Sequence, residues 1–99
     1  MALSLSLNSA TANGAGAVIY APRFDQVRPR NPLTVYVWGT FGGATVKVQV
    51  TPDGTNWFDL SNYSFSDVGC ENIDAAAVAY RLFVSGATGA TNLNGGLFV

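Results

Sequence analysis

Residues 45–51 read TVKVQVT, and Val46, Val48 and Val50 alternate with Lys47 and Gln49. A side-chain period of two marks a strand with one buried and one solvated face. The chain continues with Thr51-Pro52-Asp53-Gly54, which fits a type I turn. Proline presets φ at the second position, aspartate bonds locally, and glycine accepts the left-handed conformation. Residues 56–60 (NWFDL) then complete a hairpin. A hairpin with a valine face must bury that face against another layer. The alanine run within residues 66–78 is long enough for one helical turn, too short to stand alone in water.

The other segments repeat the strand signal. Leu3, Leu5 and Leu7 alternate with Ser4, Ser6 and Asn8, the pattern of a half-buried strand. Residues 17–21 (AVIYA), 33–38 (LTVYVW), 63–65 (YSF), 79–85 (AYRLFVS) and 97–99 (LFV) add further short strands. In 33–38, Leu33, Val35 and Val37 point one way and Thr34, Tyr36 and Trp38 the other. The stretches ATANGAGA, GTFGGA and GATGATNLNGG read as glycine-containing links. Gly-Ala-Thr recurs at 43–45, 86–88 and 89–91, which reads as repeated turn chemistry. Seven to eight short strands at spacings of about 8 to 12 residues predict an all-β fold, a small antiparallel β-sandwich or jelly-roll-like domain. It is expected to be one domain over residues 1–99, with an N-terminal strand or arm at 1–16. The Pro/Arg-rich segment 22–32 is expected to be a long ordered loop or arm, since proline suits neither an interior strand nor a helix.

Composition narrows the function classes. Charged residues are 11% of the chain and hydrophobic residues 48%, against about 25% charged in an average soluble domain. A low-charge, aromatic-containing surface resembles the centre of a stable protein interface. The net charge of −1 supplies no field to gather nucleic acid or an acidic membrane. Histidine is absent, which removes the commonest general base and metal ligand. Cys70 is the single cysteine, so neither an intrachain disulfide nor a thiolate zinc site can form; it is expected to be a small buried hydrophobe or a neutral thiol. The N-terminus lacks the basic region of a signal peptide, and no apolar run approaches the roughly 20 residues that span a bilayer. A soluble, cytoplasmically made, non-enzymatic protein is expected, with no catalytic, cofactor-binding or metal-binding residues.

Asp53 is explained by the turn. A calcium loop needs oxygen ligands at several alternate positions, and Asp59 is the one other carboxylate nearby. Phe58 and Leu60 share a face and are expected in the core with the valines. Trp57 and Asp59 then face outward, as do Tyr36 and Trp38, with Arg81 beside them. Such rings are covered by a second layer of the same chain, buried in a subunit interface, or left as a platform for sugars. Arg23, Arg28 and Arg30 in segment 22–32 make either a solvated loop or a docking arm for acidic groups on a partner. Asp67, Glu71 and Asp74 read as a solvated loop.

The run VWGTFGGATVKVQVTPDGTNWFDL, followed by AYRLFVSGATGATNLNGGL, resembles small virion structural proteins of tailed bacteriophages. Those proteins share a strand of the form G-x-F-x-G-A-T-V-x-V-Q, a PDG-x-x-W hairpin and a late R-x-x-V-S-G-A-T segment. The resemblance covers roughly residues 34–97 and is one of strands and turns. It implies a β-sandwich decoration (cement) protein on a capsid, or a small fibre or tail module, assembled in the host cytoplasm and located in the virion. It also implies a homo-oligomer, trimer favoured, bound to the major capsid protein or other virion proteins, with no nucleic acid, membrane or cofactor partner. Tyr36, Trp38, Trp57 and Arg81 are then candidates for the oligomer face, and Arg23, Arg28 and Arg30 for a shell-facing arm. Segment 22–32 departs from the pattern. The alternative is a carbohydrate-binding or adaptor module of a tail or fibre.

Overall fold

The computed structural model describes residues 3–20, 33–73 and 77–98. Among the described residues nine strands follow in order: β1 (Leu3–Ala10), β2 (Gly14–Ala15), β3 (Ile19–Tyr20), β4 (Leu33–Thr40), β5 (Thr45–Thr51), β6 (Phe58–Phe65), β7 (Gly69–Ile73), β8 (Ala79–Ser85) and β9 (Asn92–Phe98). They form two antiparallel sheets. Sheet A has the order β1-β9-β4-β7. Sheet B has the order β2-β8-β5-β6, with β3 also pairing β8.

The pairing has one underlying rule. β5 pairs β6, β4 pairs β7, β2 and β3 pair β8, and β1 pairs β9. Each strand meets the one equally distant from the turn at residues 52–57. The chain is therefore one long two-stranded ribbon whose tip is that turn. The ribbon rolls up so that β4 also pairs β9 and β5 also pairs β8. This is a β-sandwich with jelly-roll-like order, as the strand pattern predicted.

The two sheets bury a shared core. Sheet A contributes Leu7, Val35, Val37, Ile73, Leu93 and Leu97; sheet B contributes Ile19, Val46, Val48, Phe65, Tyr80, Leu82 and Val84. Val46, Val48, Leu82 and Val84 are fully buried, so the alternation of β5 and β8 translates directly into packing.

Several expectations need correction. Segment 66–78 contains strand β7, and residues 92–96, read as loop, belong to β9. Gly95 and Gly96 hide the β9 signal, because glycine is disfavoured in strands. Here it is required by close approach: a Cβ on Gly95 would lie 2.8 Å from Leu82 Cδ1, and one on Gly96 would collide with the Ser4 carbonyl of β1. The predicted strand 17–21 is reduced to Ile19–Tyr20, and β2 falls inside the stretch read as a link. The helical-turn expectation falls partly on residues 74–76, outside the described residues. The Pro/Arg-rich segment 22–32, with Arg23, Arg28 and Arg30, lies wholly outside them, as does Asp74.

β1 departs from simple alternation. Leu5 pairs with Gly96 and Leu7 with Gly95, so two residues of β1 oppose one of β9. This bulge re-aims the side chains. Leu3 and Leu5 face outward at 38% and 41% exposure, while Leu7 is buried. The bulge also delivers the Ser6 hydroxyl to the other sheet. Ser6 Oγ donates to the Ala17 carbonyl at 2.8 Å and accepts from the Leu82 amide at 3.0 Å. The Gly16 amide donates to the Leu82 carbonyl at 2.8 Å, filling the gap between β2 and β3 along β8.

Candidate functional site

The tip of the ribbon is closed by side chains. The Thr51 carbonyl accepts from the Val78 amide at 2.9 Å. The Thr51 hydroxyl takes the turn's donors instead, accepting from the Gly54 amide at 2.8 Å and the Asp53 amide at 3.3 Å. Gly54 has φ +86°, the left-handed conformation expected there. Asp53 Oδ1 accepts from the amides of Thr55 and Asn56, each at 2.8 Å, and Oδ2 accepts from the Asn56 side-chain amide at 2.7 Å. Hydrogen bonds from Asn56 and Thr55 stabilise the carboxylate and hold its pKa far below the usual aspartate range. Asp53 is thus consumed by the turn. No three Asp, Glu or Cys side chains among the described residues come together as a metal site.

The opposite end of the sandwich carries the Gly-Ala-Thr repeats. Thr91, buried, donates its hydroxyl to the Phe41 carbonyl at 2.8 Å and accepts from the Thr88 amide at 2.9 Å. Thr88 Oγ1 donates to the Gly42 carbonyl at 2.8 Å. The β4–β5 and β8–β9 links, both crossing between sheets, are therefore bonded side by side.

The predicted partner-facing residues occupy two separate places. The link 41–44 carries the chain from sheet A to sheet B, so outward on β4 and outward on the β5–β6 hairpin are opposite sides of the molecule. Tyr36 and Trp38 lie on the outer face of sheet A. Trp57 and Arg81 lie on the outer face of sheet B. Sequence periodicity assigns a face within a strand, and the sheet to which that strand belongs is a tertiary fact.

On sheet A the outer face is apolar and neutral. Leu3 pairs with Phe98, Leu5 with Gly96, Tyr36 with Gly96 and Cys70, and Trp38 with Asn94. Leu3, Leu5, Tyr36, Trp38 and Phe98 are each about two-fifths exposed, between 38% and 41%. Thr34 bonds Asn72 across β4 and β7 at 2.9 Å. Among the described residues this face carries no Asp, Glu, Lys or Arg. Cys70, exposed, sits here beside Tyr36, which corrects the option of a buried cysteine. Leu3, Leu5 and Phe98 are part of the patch that the sequence reading did not single out. The bulge in β1 concealed the two leucines, and the strand expected at 97–99 is too short for its alternation to assign Phe98 a face.

On sheet B the outer face is a polar rung. Gln49 pairs with Arg81 on one side and Asp59 on the other. Arg81 Nε donates to Gln49 Oε1 at 2.7 Å, and Gln49 Nε2 donates to Asp59 Oδ1 at 2.8 Å. The Arg81 guanidinium lies over the Trp57 ring, 4.2 Å from its centroid. So the cover on that ring face is Arg81, from the same chain. Leu60 packs against the core as expected. Phe58, also expected in the core, is 56% exposed instead. It pairs with Val50 at the outermost rung beside the turn, where the sandwich ends.

Comparison with family models, curated proteins and solved structures finds no match.

Proposed function

We propose that this chain is a non-enzymatic structural protein of a bacteriophage virion that works by assembly, as a capsid decoration (cement) protein bridging shell subunits. The observation that supports it is the outer face of sheet A. Leu3, Leu5, Tyr36, Trp38 and Phe98 form one exposed apolar surface on the outer face of one sheet. Such patches on a soluble domain mark association sites. The described residues of this face carry no charge, so they meet a second copy with no like-charge repulsion. Self-association, trimeric in the form that the resemblance implies, would present several weak contacts to a shell at once and gain affinity through multivalency.

Sedimentation equilibrium on the wild type and on Trp38→Lys tests the reading. The expected result is an oligomer that dissociates to folded monomers in the variant. A wild type that stays monomeric at high concentration overturns it. Co-sedimentation with emptied heads, and not with isolated tails, is the expected result for the decoration role.

A second reading, a carbohydrate-binding module of a tail or fibre, is favoured by the ladder of Tyr36 and Trp38 at positions i and i+2 of β4, a pair of neighbouring rings on one face. It moves the sugar-stacking role away from Trp57, one of whose ring faces is taken by Arg81. Glycan binding lost in Trp38→Ala, with the oligomer retained, supports this reading over the first.

A further inference from the structure

The outer face of sheet B carries a feature that self-association through sheet A does not use. A guanidinium has five N–H donors in a rigid planar fork. In Arg81 the Nε–H is spent on Gln49, and the plane is set against Trp57. The four N–H groups on the two terminal nitrogens make no hydrogen bond to the described residues. Their position is fixed from two sides. The ring holds the cation on one face, and Gln49 is itself held by Asp59 from the neighbouring strand. An arginine fixed in this way has little rotamer freedom left to lose on binding, which is the main cost of using one.

We propose that Arg81 is a docking point for a single carboxylate on a partner protein, an Asp or Glu side chain that meets the two terminal nitrogens end-on. Because Nε is occupied, the side-on mode through Nε is closed and the end-on fork remains. Charge complementarity favours one carboxylate. Lys47 lies on the same face, two residues along β5 from Gln49, and adds positive potential. Asp59 also lies on this face and limits it. A polyanion such as nucleic acid needs several cations along a track, and this face has Arg81 and Lys47 alone among the described residues. Trp and Arg are the residue types that dominate interface energetics, and here they arrive already stacked.

The test is a side-chain NMR titration of the full chain at constant ionic strength. The probes are the peptides acetyl-Gly-Glu-Gly-amide and acetyl-Gly-Gln-Gly-amide, and inorganic phosphate. The readouts are the Arg81 Nε–H and Trp57 indole N–H resonances. The glutamate peptide is expected to shift both saturably, with at least fivefold weaker responses to the glutamine peptide and to phosphate. In Arg81→Lys, which keeps the charge and loses the fork, the indole response to the glutamate peptide should fall to the level of the glutamine peptide. Equal responses to glutamate and glutamine peptides overturn the proposal, as does a response retained in Arg81→Lys. A phosphate response as strong as that of glutamate overturns the assignment to a carboxylate. If Arg81→Lys does not fold, the comparison of the three probes on the wild type decides alone.

Discussion

Arg81 lies over Trp57 with its guanidinium carbon 4.2 Å from the ring centroid. The two residues sit on different elements, β8 and the approach to β6, and the contact joins them across β5. Such a contact on a partly exposed surface is worth about 0.5–1 kcal/mol. A double-mutant cycle of Trp57→Ala and Arg81→Ala, read by urea denaturation, should return a coupling energy of about that size. A coupling indistinguishable from zero means that the stack contributes nothing.

Ser6 links the sheets through its hydroxyl. Ser6→Ala leaves the Leu82 amide and the Ala17 carbonyl without that partner. Losing a hydrogen bond to a buried group costs about 1–3 kcal/mol per orphaned group. The buried Leu82 amide is the costly one, Ala17 being exposed, so the variant should lose about 1–3 kcal/mol in chemical denaturation, with the largest loss of amide protection at Leu82. Unchanged protection at Leu82 refutes the clamp.

Asp53 gives a pH signature. Its carboxyl is held below the usual 3.8 by hydrogen bonds from Asn56 and Thr55. A depressed folded pKa stabilises the ionised form, so the contribution is present above about pH 4 and is lost as pH falls below it. Asp53→Asn keeps an oxygen acceptor but does not titrate. The stability difference between wild type and Asp53→Asn should shrink between pH 6 and pH 3. A constant difference over that range removes Asp53 as the origin of acid sensitivity.

Gly96 is the point at which β1 can approach β9. A Cβ there collides with the backbone of Ser4, which cannot rotate away as a side chain would. Gly96→Ala should cost about 1–3 kcal/mol and release β1, seen as fast hydrogen exchange from Leu3 to Leu7 with β5 and β8 still protected. Protection retained throughout β1 shows that the strand accommodates the methyl group.

The legible parts of the fold are those in which local pattern and tertiary environment agree. β5 and β8 were read with their observed bounds because Val46, Val48, Leu82 and Val84 alternate with polar or partly exposed residues and face one core. The turn at Asp53 and Gly54 was readable for the same reason, although Thr51 closes it with its hydroxyl. In β9 only the end at Leu97 and Phe98 was legible; residues 92–96 were not, because Gly95 and Gly96 answer to contacts with Leu82 and Ser4 from distant strands. Leu3 and Leu5 were indistinguishable from Leu7, since one extra residue at Ser6 reverses the face and leaves no mark in the alternation. Tyr36, Trp38 and Trp57 were correctly turned outward, but onto opposite surfaces, because only the rolling of the ribbon decides which sheet a strand joins.

The pairing of Leu3 with Phe98 sets a schedule for folding. Among the described strands β1 leaves the ribosome first, and its partner β9 leaves after all the others. At about 5–20 residues per second, β1 waits several seconds without a partner while the intervening strands emerge. During that wait Leu3, Leu5 and Leu7 are exposed to any other unfinished chain. The serines between those leucines make the waiting segment less adhesive than an unbroken apolar run. Closing the sandwich therefore waits for β9, and a ribosome stalled before residue 92 should hold a chain whose β1 is still open to protease.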